Sequence, residues 1–275
     1  HALRISKASL ELSGGVILFL IAPSPSRGRA DGWRGTPFAH RGLHGRGAAE
    51  NTLAAFERAA DAGFGIELDV QFTKDGKIVV FHDDDLKRIC GAEGRIEDMT
   101  LAELKDIPLP DGGRIPGFDE VLAHVNGRVP LLVELKAGRR NAALCAGTAE
   151  MLRNYSGKYI VESFHPLILR WFRKNAPEMI RGQLVGPAAC YLATLGRGAA
   201  WLSVLALNFL ARPDFVAYEV SCDHFAAPRV QRSLFHTPLA AWTVRDEKTC
   251  DSCLSRGEMP IFEGFVPEKH TEEKA

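Results

Sequence analysis

Eight short apolar runs of strand-forming residues recur along the chain, and segments long enough for helices separate them. Strands that alternate with helices in this way form parallel βα units. Eight such units close into a barrel of about 250 residues, which a chain of 275 residues accommodates. The sequence therefore predicts an α/β fold, a (β/α)8 TIM barrel, with strands at Pro37–His40, Ile66–Phe72, Leu131–Lys136, Tyr159–Phe164, Gly182–Val185, Phe215–Val220, Leu239–Val244 and Ile261–Val266.

The chain is predicted to consist of an N-terminal extension and linker over residues 1–35 and the barrel over residues 36–275. Pro23–Gly35 is rich in Gly, Pro, Ser and Arg, which favours a linker. The apolar run Val16–Ala22 is far shorter than the ~20 residues that span a bilayer. We therefore expect no transmembrane segment, and packing of this run on the barrel exterior is favoured over a signal peptide.

Charge and cysteine content narrow the classes of partner and compartment. Lys plus Arg and Asp plus Glu both number 34, and no basic stripe follows the chain, so nucleic acid is not an expected partner. Six irregularly spaced cysteines suit free thiols in a reducing compartment, which predicts a cytoplasmic protein. Cys250 and Cys253 form a lone C-x-x-C and are predicted to be two thiols on a late helix. The sequence specifies no oligomeric state.

Carboxylates on two predicted strands indicate a metal site. Glu67 and Asp69 are two residues apart, so they share one face of their strand and point to the barrel axis if their apolar neighbours pack outward. Glu134 lies on the next barrel strand, with Lys136 two residues further on. Three carboxylates that repel one another favour a divalent, oxygen-ligated ion. We expect Mg²⁺ or Ca²⁺, with Mn²⁺ as a further choice.

A β-hairpin after the second strand is predicted to carry His82 to the same place. Asp75-Gly76, flanked by alternating apolar residues, is typical of a two-residue hairpin turn. That turn would pair Phe72 with Val79 and would set Asp69 opposite His82.

The first strand ends in His40-Arg41-Gly42, and it is expected to lie beside the second strand. An arginine grips phosphate through two hydrogen bonds, and Gly42 permits a sharp turn. Together with Lys136, these residues complete a set of two histidines, two cations and three carboxylates. Such a set suits cleavage of a phosphodiester, with the cations holding the phosphate oxygens and the histidines exchanging protons.

The motifs that carry these residues resemble those of the glycerophosphodiester phosphodiesterase family in order and spacing, over roughly residues 36–267. They are His40-Arg41-Gly42, Glu50-Asn51-Thr52, Glu67-Leu68-Asp69-Val70, the hairpin ending in Val79-Val80-Phe81-His82-Asp83, and Glu134-Leu135-Lys136, with weaker matches at Ser163-Phe164-His165-Pro166 and Ala241-Trp242-Thr243-Val244.

The resemblance implies a barrel that hydrolyses glycerophosphodiesters to glycerol 3-phosphate and an alcohol. It also implies roles for residues: Glu67, Asp69 and Glu134 as metal ligands, His40 and His82 as the acid–base pair, Arg41 and Lys136 as phosphate contacts, and Phe164 and Trp242 as an apolar wall against the glycerol or the leaving alcohol. The last strand departs from the family, because Ile261-Phe262-Glu263-Gly264-Phe265 stands where relatives commonly have Thr-Asp. Alcohol specificity is therefore left open.

Several alternatives remain at this point. The small-molecule substrate would be a glycerophosphodiester such as glycerophosphocholine or glycerophosphoethanolamine, attacked by its own 2-hydroxyl or directly by water. The apolar segment Pro187–Phe209, with Trp201, keeps open a lysophospholipase D-like activity or cleavage of another phospholipid. A barrel that binds glycerophosphate groups without catalysis is the other alternative.

Overall fold

The computed structural model describes residues 16, 18–45, 47–186, 207–224 and 226–268. Its strands are β1 (Phe38–Ala39), β2 (Gly65–Phe72), β3 (Ile78–Val80), β4 (Leu131–Leu135), β5 (Tyr159–Ser163), β6 (Arg181–Val185), β7 (Phe215–Glu219), β8 (Leu239–Val244) and β9 (Met259–Phe262). β1, β2 and β4 to β9 pair in parallel around a closed barrel, in which β1 joins β9 to β2. The predicted eight-stranded (β/α)8 barrel is confirmed.

Helices follow the strands on the outside of the barrel. They are α1 (Leu53–Asp61), α2 (Lys87–Cys90), α3 (Leu101–Lys105), α4 (Phe118–Val125), α5 (Asn141–Arg153), α6 (Pro166–Asn175), α7 (Asn208–Ala211), α8 (Ala226–Ser233) and α9 (Glu247–Ser255). Thr52 and Thr100 cap α1 and α3 through their side chains. Among the described helices, none has the length and apolar character needed to cross a lipid bilayer.

Alternation along each strand divides the barrel into an inner and an outer layer. Ile66, Leu68 and Val70 of β2 face outward and pack with helix residues such as Phe56. A second cluster, which includes Leu132, Ile160, Leu184, Phe215 and Ile261, fills the interior. Because the apolar residues of β2 face outward, Glu67 and Asp69 face inward, as predicted.

The predicted register of the β2–β3 hairpin is wrong by one residue. Phe72 pairs with Ile78, and Val70 pairs with Val80. The turn contains three residues rather than two, since the Thr73 amide donates to the Lys77 carbonyl and Gly76 adopts a φ of +79°. Phe81 is consequently the residue whose amide donates to the Asp69 carbonyl, and His82 lies one step beyond it.

Residues 73–117, which we call the excursion, leave the barrel after β2 and return before α4. β3 runs antiparallel to β2 and pairs with its last residues, Val70 to Phe72, whereas β1 pairs with its first two residues. The excursion has a small core of its own, made by Val79, Phe81, Leu86, Ile96, Leu104, Leu109 and Ile115. Because β3 runs back toward the barrel, it delivers His82 to the mouth near the end of β1.

The two ends of the barrel segment also differ from expectation. The predicted linker contains a 3-10 helix, Arg27–Trp33, in which Ala30 is fully buried against the interior cluster. Arg29 anchors it through hydrogen bonds to Asp214 and the Met179 carbonyl. The last strand is Met259–Phe262 and not Ile261–Val266; the chain turns away at Gly264, where φ is +84°.

Cys250 and Cys253 lie on α9 as free, buried thiols, as predicted. Burial raises the pKa of Cys250 to about 11 and that of Cys253 to about 12. A thiol with such a pKa is neither a ready nucleophile nor a ready metal ligand at neutral pH.

Candidate active site

A cavity of about 400 Å³ opens at the carboxyl end of the barrel strands. Active sites of this fold lie at that end. The cavity is lined by His40, Arg41, Glu50, Glu67, His82, Arg88, Glu134, Glu162, Phe164, Leu184, Glu219, Trp242, Thr243, Arg245, Ile261 and Glu263. It thus contains seven of the nine residues that the sequence singled out, and Asp69 and Lys136 contact these residues from below.

Glu67, Asp69 and Glu134, which we call the carboxylate trio, meet at the floor of this cavity. Each offers an oxygen, and these oxygens lie within 4.8 Å of one another. The meeting follows from the parallel register, in which Asp69 pairs with Glu134 across β2 and β4. All three are buried, and Asp69 Oδ1 has no hydrogen-bond partner within the described residues. Hard oxygen donors at this spacing can hold a divalent cation.

Two cations lie beside the trio and compensate part of its charge. Lys136 Nζ is 2.9 Å from Glu134 Oε1 and 3.5 Å from Asp69 Oδ1. Arg41 Nε is 3.6 Å from Asp69 Oδ2, while the Arg41 amide donates to Glu67 Oε2 at 2.8 Å. Within the described part of the chain, Glu67 therefore receives a backbone N–H but forms no ion pair with a lysine or an arginine.

The pKa values within the trio diverge, and burial raises that of Glu134 although Lys136 opposes the effect. Burial, reinforced by the neighbouring carboxylates, raises the pKa of Glu67 well above its usual range. Burial also acts on Asp69, but the opposing effects of His82, Lys136 and Arg41 hold its pKa below the ordinary value. A proton or a metal ion is thus needed to balance Glu67.

His40 is held by Glu263 of the strand end that departs from the family motif. His40 Nδ1 lies 3.0 Å from Glu263 Oε2, and His40 Nε2 lies 3.9 Å from Glu67 Oε2. The hydrogen bond from His40 lowers the pKa of Glu263 to about 2, so Glu263 is an ionised acceptor. Burial lowers the pKa of His40 itself. An Nδ1–H donated to Glu263 leaves the Nε2 lone pair of a neutral imidazole facing the trio.

His82 has a carboxylate partner of its own. His82 Nδ1 is 2.6 Å from Asp83 Oδ1, and Arg88 holds Asp83 through two hydrogen bonds. Arg88 also binds Glu50, whose other partner is Arg41. This chain of ion pairs links the excursion to the end of β1.

The sequence did not predict the carboxylate partners of the two histidines, nor one side chain that donates a hydrogen bond to the trio. Asn51, noted from the sequence only as part of the Glu50-Asn51-Thr52 motif, donates from Nδ2 to Asp69 Oδ2 at 2.9 Å. Its φ of +57° is the left-handed conformation, which Asn tolerates better than most residues. Gly42 was identified correctly, since a Cβ there would lie 2.9 Å from the Ala55 backbone and its φ is +80°.

The far side of the cavity is aromatic and acidic. Phe164 and Trp242, the two residues predicted to face the glycerol or the alcohol, meet edge to face with ring centroids 5.5 Å apart. Glu162 is 1% exposed and its Oε2 has no hydrogen-bond partner among the described residues. Burial, with repulsion from Glu134 and Asp69, raises the pKa of Glu162 well above its usual range. Trp201 lies outside the described residues.

These groups combine in one cavity what hydrolysis of a phosphodiester requires. Arg41 and Lys136 offer positive charge, the trio can bind a cation, and two imidazoles can exchange protons. Each imidazole is oriented by a carboxylate, as is typical of a histidine that transfers protons.

Known proteins resemble this chain in sequence and in fold. A sequence profile of the Glycerophosphoryl diester phosphodiesterase family matches residues 40–266. A glycerophosphodiester phosphodiesterase of Caldanaerobacter subterraneus subsp. tengcongensis is 38% identical over 161 residues, which are 53% of this chain and 65% of the relative. A glycerophosphodiester phosphodiesterase of Bacillus altitudinis is 34% identical over 251 residues, which are 83% of this chain and 94% of the relative.

Among solved structures, a phosphodiesterase of Oleispira antarctica in complex with the product sn-glycerol-3-phosphate superposes with a TM-score of 0.69 at 26% identity. The match covers 85% of this chain and 94% of that protein.

Proposed function

Because the chain belongs to the Glycerophosphoryl diester phosphodiesterase family, we propose that it hydrolyses glycerophosphodiesters to glycerol 3-phosphate and an alcohol with a divalent cation and two histidines. It is a phosphoric diester hydrolase, as its family membership establishes. The observation that supports the proposed chemistry is the convergence of two histidine–carboxylate pairs and the carboxylate trio on one cavity.

The residues present fit a divalent cation. The trio supplies hard oxygen donors, and Asp69 Oδ1 is buried without a hydrogen-bond partner among the described residues, which is costly unless a cation or donor completes it. Glu67, Asp69 and Glu134 would hold the ion, with Mg²⁺, Ca²⁺ or Mn²⁺ as candidates. The chemistry that such an ion supplies is Lewis-acid stabilisation of charge on the phosphate oxygens.

Arg41 and Lys136 are assigned to the phosphate. Arg41 Nε is buried and has no hydrogen-bond partner among the described residues, although Asp69 lies 3.6 Å away. A phosphate oxygen would use that donor, and the Lys136 ammonium would face the same group as a point charge. Both side chains are held before substrate binds, so little reorganisation is required.

We assign the role of base to His40 and that of acid to His82. Burial favours the neutral form of His40, and Glu263 fixes its proton on Nδ1, which leaves Nε2 to accept a proton from the attacking hydroxyl. His82, which Asp83 holds at Nδ1, would give a proton to the leaving alcohol oxygen as its bond to phosphorus breaks. Phe164 and Trp242 would flank the glycerol or the alcohol.

Two routes of attack remain as proposals. The 2-hydroxyl of the glycerol would give a cyclic phosphate that water opens in a second step, whereas direct attack by water would give the products in one step. Hydrolysis in ¹⁸O-water with time-resolved product analysis separates them. A transient cyclic species that forms and decays during turnover supports the first route, and its absence at all times supports the second.

Substitution of the histidines tests the proposal. His40→Ala and His82→Ala should each reduce turnover of a glycerophosphodiester by at least ~100-fold, because each removes a proton carrier. His124→Ala is the matched control, since His124 pairs with Glu57 on the outside of the barrel. Chelation by EDTA should abolish activity, and a divalent ion should restore it. Unchanged turnover in either cavity variant contradicts its assigned role.

The alternatives predict different outcomes of the same assays. A non-catalytic glycerophosphate binder would bind the diester without releasing product. A lysophospholipase D-like enzyme would turn over lyso-lipids far better than deacylated diesters. The apolar segment that suggested lipid substrates lies mostly outside the described residues, and no described contact favours that activity.

A further inference from the structure

The two sides of the cavity differ in charge. Arg41, Lys136 and Arg88 lie on the side formed by β1, β2, β4 and the excursion. The opposite side is formed by residues at the ends of β5 to β8. Among the described lining residues from Glu162 to Trp242, none is cationic and two are carboxylates, Glu162 and Glu219. Arg245, directly after β8, also lines the cavity, but its side chain is exposed and pairs with Glu263 at 3.3 Å.

Glu162 is built into this side without a use in the fold. Its side chain is buried, it lines the cavity, and Oε2 has no hydrogen-bond partner among the described residues. A buried carboxyl oxygen without a donor is costly, so natural sites retain one where a ligand completes it. Its neighbour across the sheet is Glu134, whose own cation is Lys136. Glu162 is not part of the trio, because the oxygens that lie within 4.8 Å of one another belong to Glu67, Asp69 and Glu134.

Two aromatic rings line the same side of the cavity as Glu162. Phe164 follows Glu162 by two residues on the same strand end, and its ring meets that of Trp242. The Trp242 indole N–H donates to the Ala217 carbonyl at 3.3 Å, which orients the ring. Glu219 pairs in register with Trp242 on the neighbouring strand and is half-buried. Its Oε2 accepts a hydrogen bond from the Ser221 hydroxyl. We call Glu162, Phe164, Glu219 and Trp242 the head-group wall.

Carboxylates beside aromatic faces recognise organic ammonium groups, since the rings attract a cation and exclude water while the carboxylates neutralise it. A neutral polyol gains hydrogen bonds from such a surface but no charge compensation. We propose that the head-group wall binds the ammonium of the alcohol arm, so that the enzyme selects glycerophosphodiesters of amino alcohols over those of neutral alcohols. This inference rests on the proposed function and adds the residues that select the substrate.

The test compares diesters that differ in head-group charge. Wild-type enzyme with saturating metal is assayed for glycerol 3-phosphate release from glycerophosphoethanolamine, glycerophosphocholine and glycerophosphoglycerol. The wild type should favour the two cationic diesters over glycerophosphoglycerol by about 10-fold or more in kcat/KM. Glu162→Gln and Glu219→Gln should each lower that ratio by about 10-fold. Glu150→Gln, which removes one charge from the exposed face of α5, should leave the ratio unchanged.

A second measurement does not depend on turnover of a cationic substrate. Choline or ethanolamine alone should inhibit hydrolysis of glycerophosphoglycerol competitively, and sodium chloride at equal ionic strength should not. The inhibition constant should rise in Glu162→Gln and Glu219→Gln. Glu219 is half-buried, so its replacement should disturb folding less than that of Glu162. Glu219→Gln therefore still allows the measurement if Glu162→Gln fails to fold.

The outcomes separate the two proposals. If wild type releases no glycerol 3-phosphate from any diester, the proposed function fails. If it hydrolyses glycerophosphoglycerol as well as the cationic diesters, the function stands and the head-group inference is overturned. Equal losses on all three diesters in Glu162→Gln would place Glu162 on the shared glycerol arm, which also overturns it.

Discussion

Replacing Glu67 by Gln tests whether the carboxylate trio holds a divalent cation. Two carboxylate charges at the 4.8 Å upper limit of the spacing within the trio repel by about 3 kcal/mol at an effective dielectric constant of 20. Lys136 offsets part of that repulsion at Glu134, and Arg41 does so at Asp69. Glu67 receives only the Arg41 backbone N–H and the His40 ring, whose Nε2 lies 3.9 Å away, among the described residues. In the chelated protein, Glu67→Gln should therefore preserve stability or raise it, by up to about 3 kcal/mol.

Metal binding favours the wild type. An ion that binds the folded state at 100 times its Kd adds about 2.7 kcal/mol, or roughly 5–10 °C in Tm for a chain of this size. The wild type should show that shift in a thermal denaturation experiment with EDTA and with metal, and Glu67→Gln should lose most of it. Glu150→Gln, which removes an exposed carboxylate, should retain it in full.

The shift also depends on pH with a defined sign. Because the folded-state pKa of Glu67 is raised above its unfolded value, the folded, chelated protein holds a proton that the unfolded chain releases. The resulting stability is present at low pH and is lost as the pH rises through the raised pKa. The metal-induced shift should thus be larger at pH 8 than at pH 5.5. A shift of equal size in Glu67→Gln would place the ion elsewhere and refute the reasoning.

Two further predictions concern packing and thiol chemistry. Gly182→Ala should destabilise the barrel by about 1–3 kcal/mol in urea denaturation, because the new Cβ would lie 2.2 Å from the Phe215 ring. Gly32→Ala is the control: a Cβ there would have nothing within 4 Å, so stability should change little. Cys250 and Cys253 should resist alkylation in the folded protein at pH 7.5 and react in urea, because burial raises their pKa values to about 11 and about 12. Peptide mapping by mass spectrometry shows which cysteine carries the label. Rapid labelling of the folded protein would contradict the buried placement.

The parts of the site that follow from strand geometry could be predicted. A strand has only two faces, so the apolar residues of β2 required Glu67 and Asp69 to face the axis. Parallel pairing then brought Glu134 to the same level without further information. The hairpin register was wrong because Asp75-Gly76 does not reveal whether the turn has two or three residues. His82 still reaches the cavity, since it lies beyond the end of β3 and its position depends on the direction of the chain.

The partners of these residues could not be predicted, because they depend on contacts between distant segments. Glu263 lies 223 residues from His40, and only the departure of the last strand from the family motif drew attention to it. Glu162 was not singled out from the sequence, although it shares a face of the predicted strand Tyr159–Phe164 with Phe164. Its burial is visible only once β5 is placed beside β4.

The two histidine–carboxylate pairs of the cavity depend on different parts of the fold. His40 and Glu263 follow β1 and β9, whose pairing of two residues in register is the seam that closes the barrel. His82 and Asp83 are consecutive, and the excursion core places them through Phe81 and Leu86. Closing the barrel therefore forms the first pair, whereas packing of the excursion only positions the second. If the first pair holds the base and the second the acid, a proton can be taken up and delivered only when both parts are folded together. The Arg41–Glu50–Arg88 ion pairs and the hydrogen bonds from Gln71 to the Phe81 and Asp83 carbonyls are among the described contacts that join them.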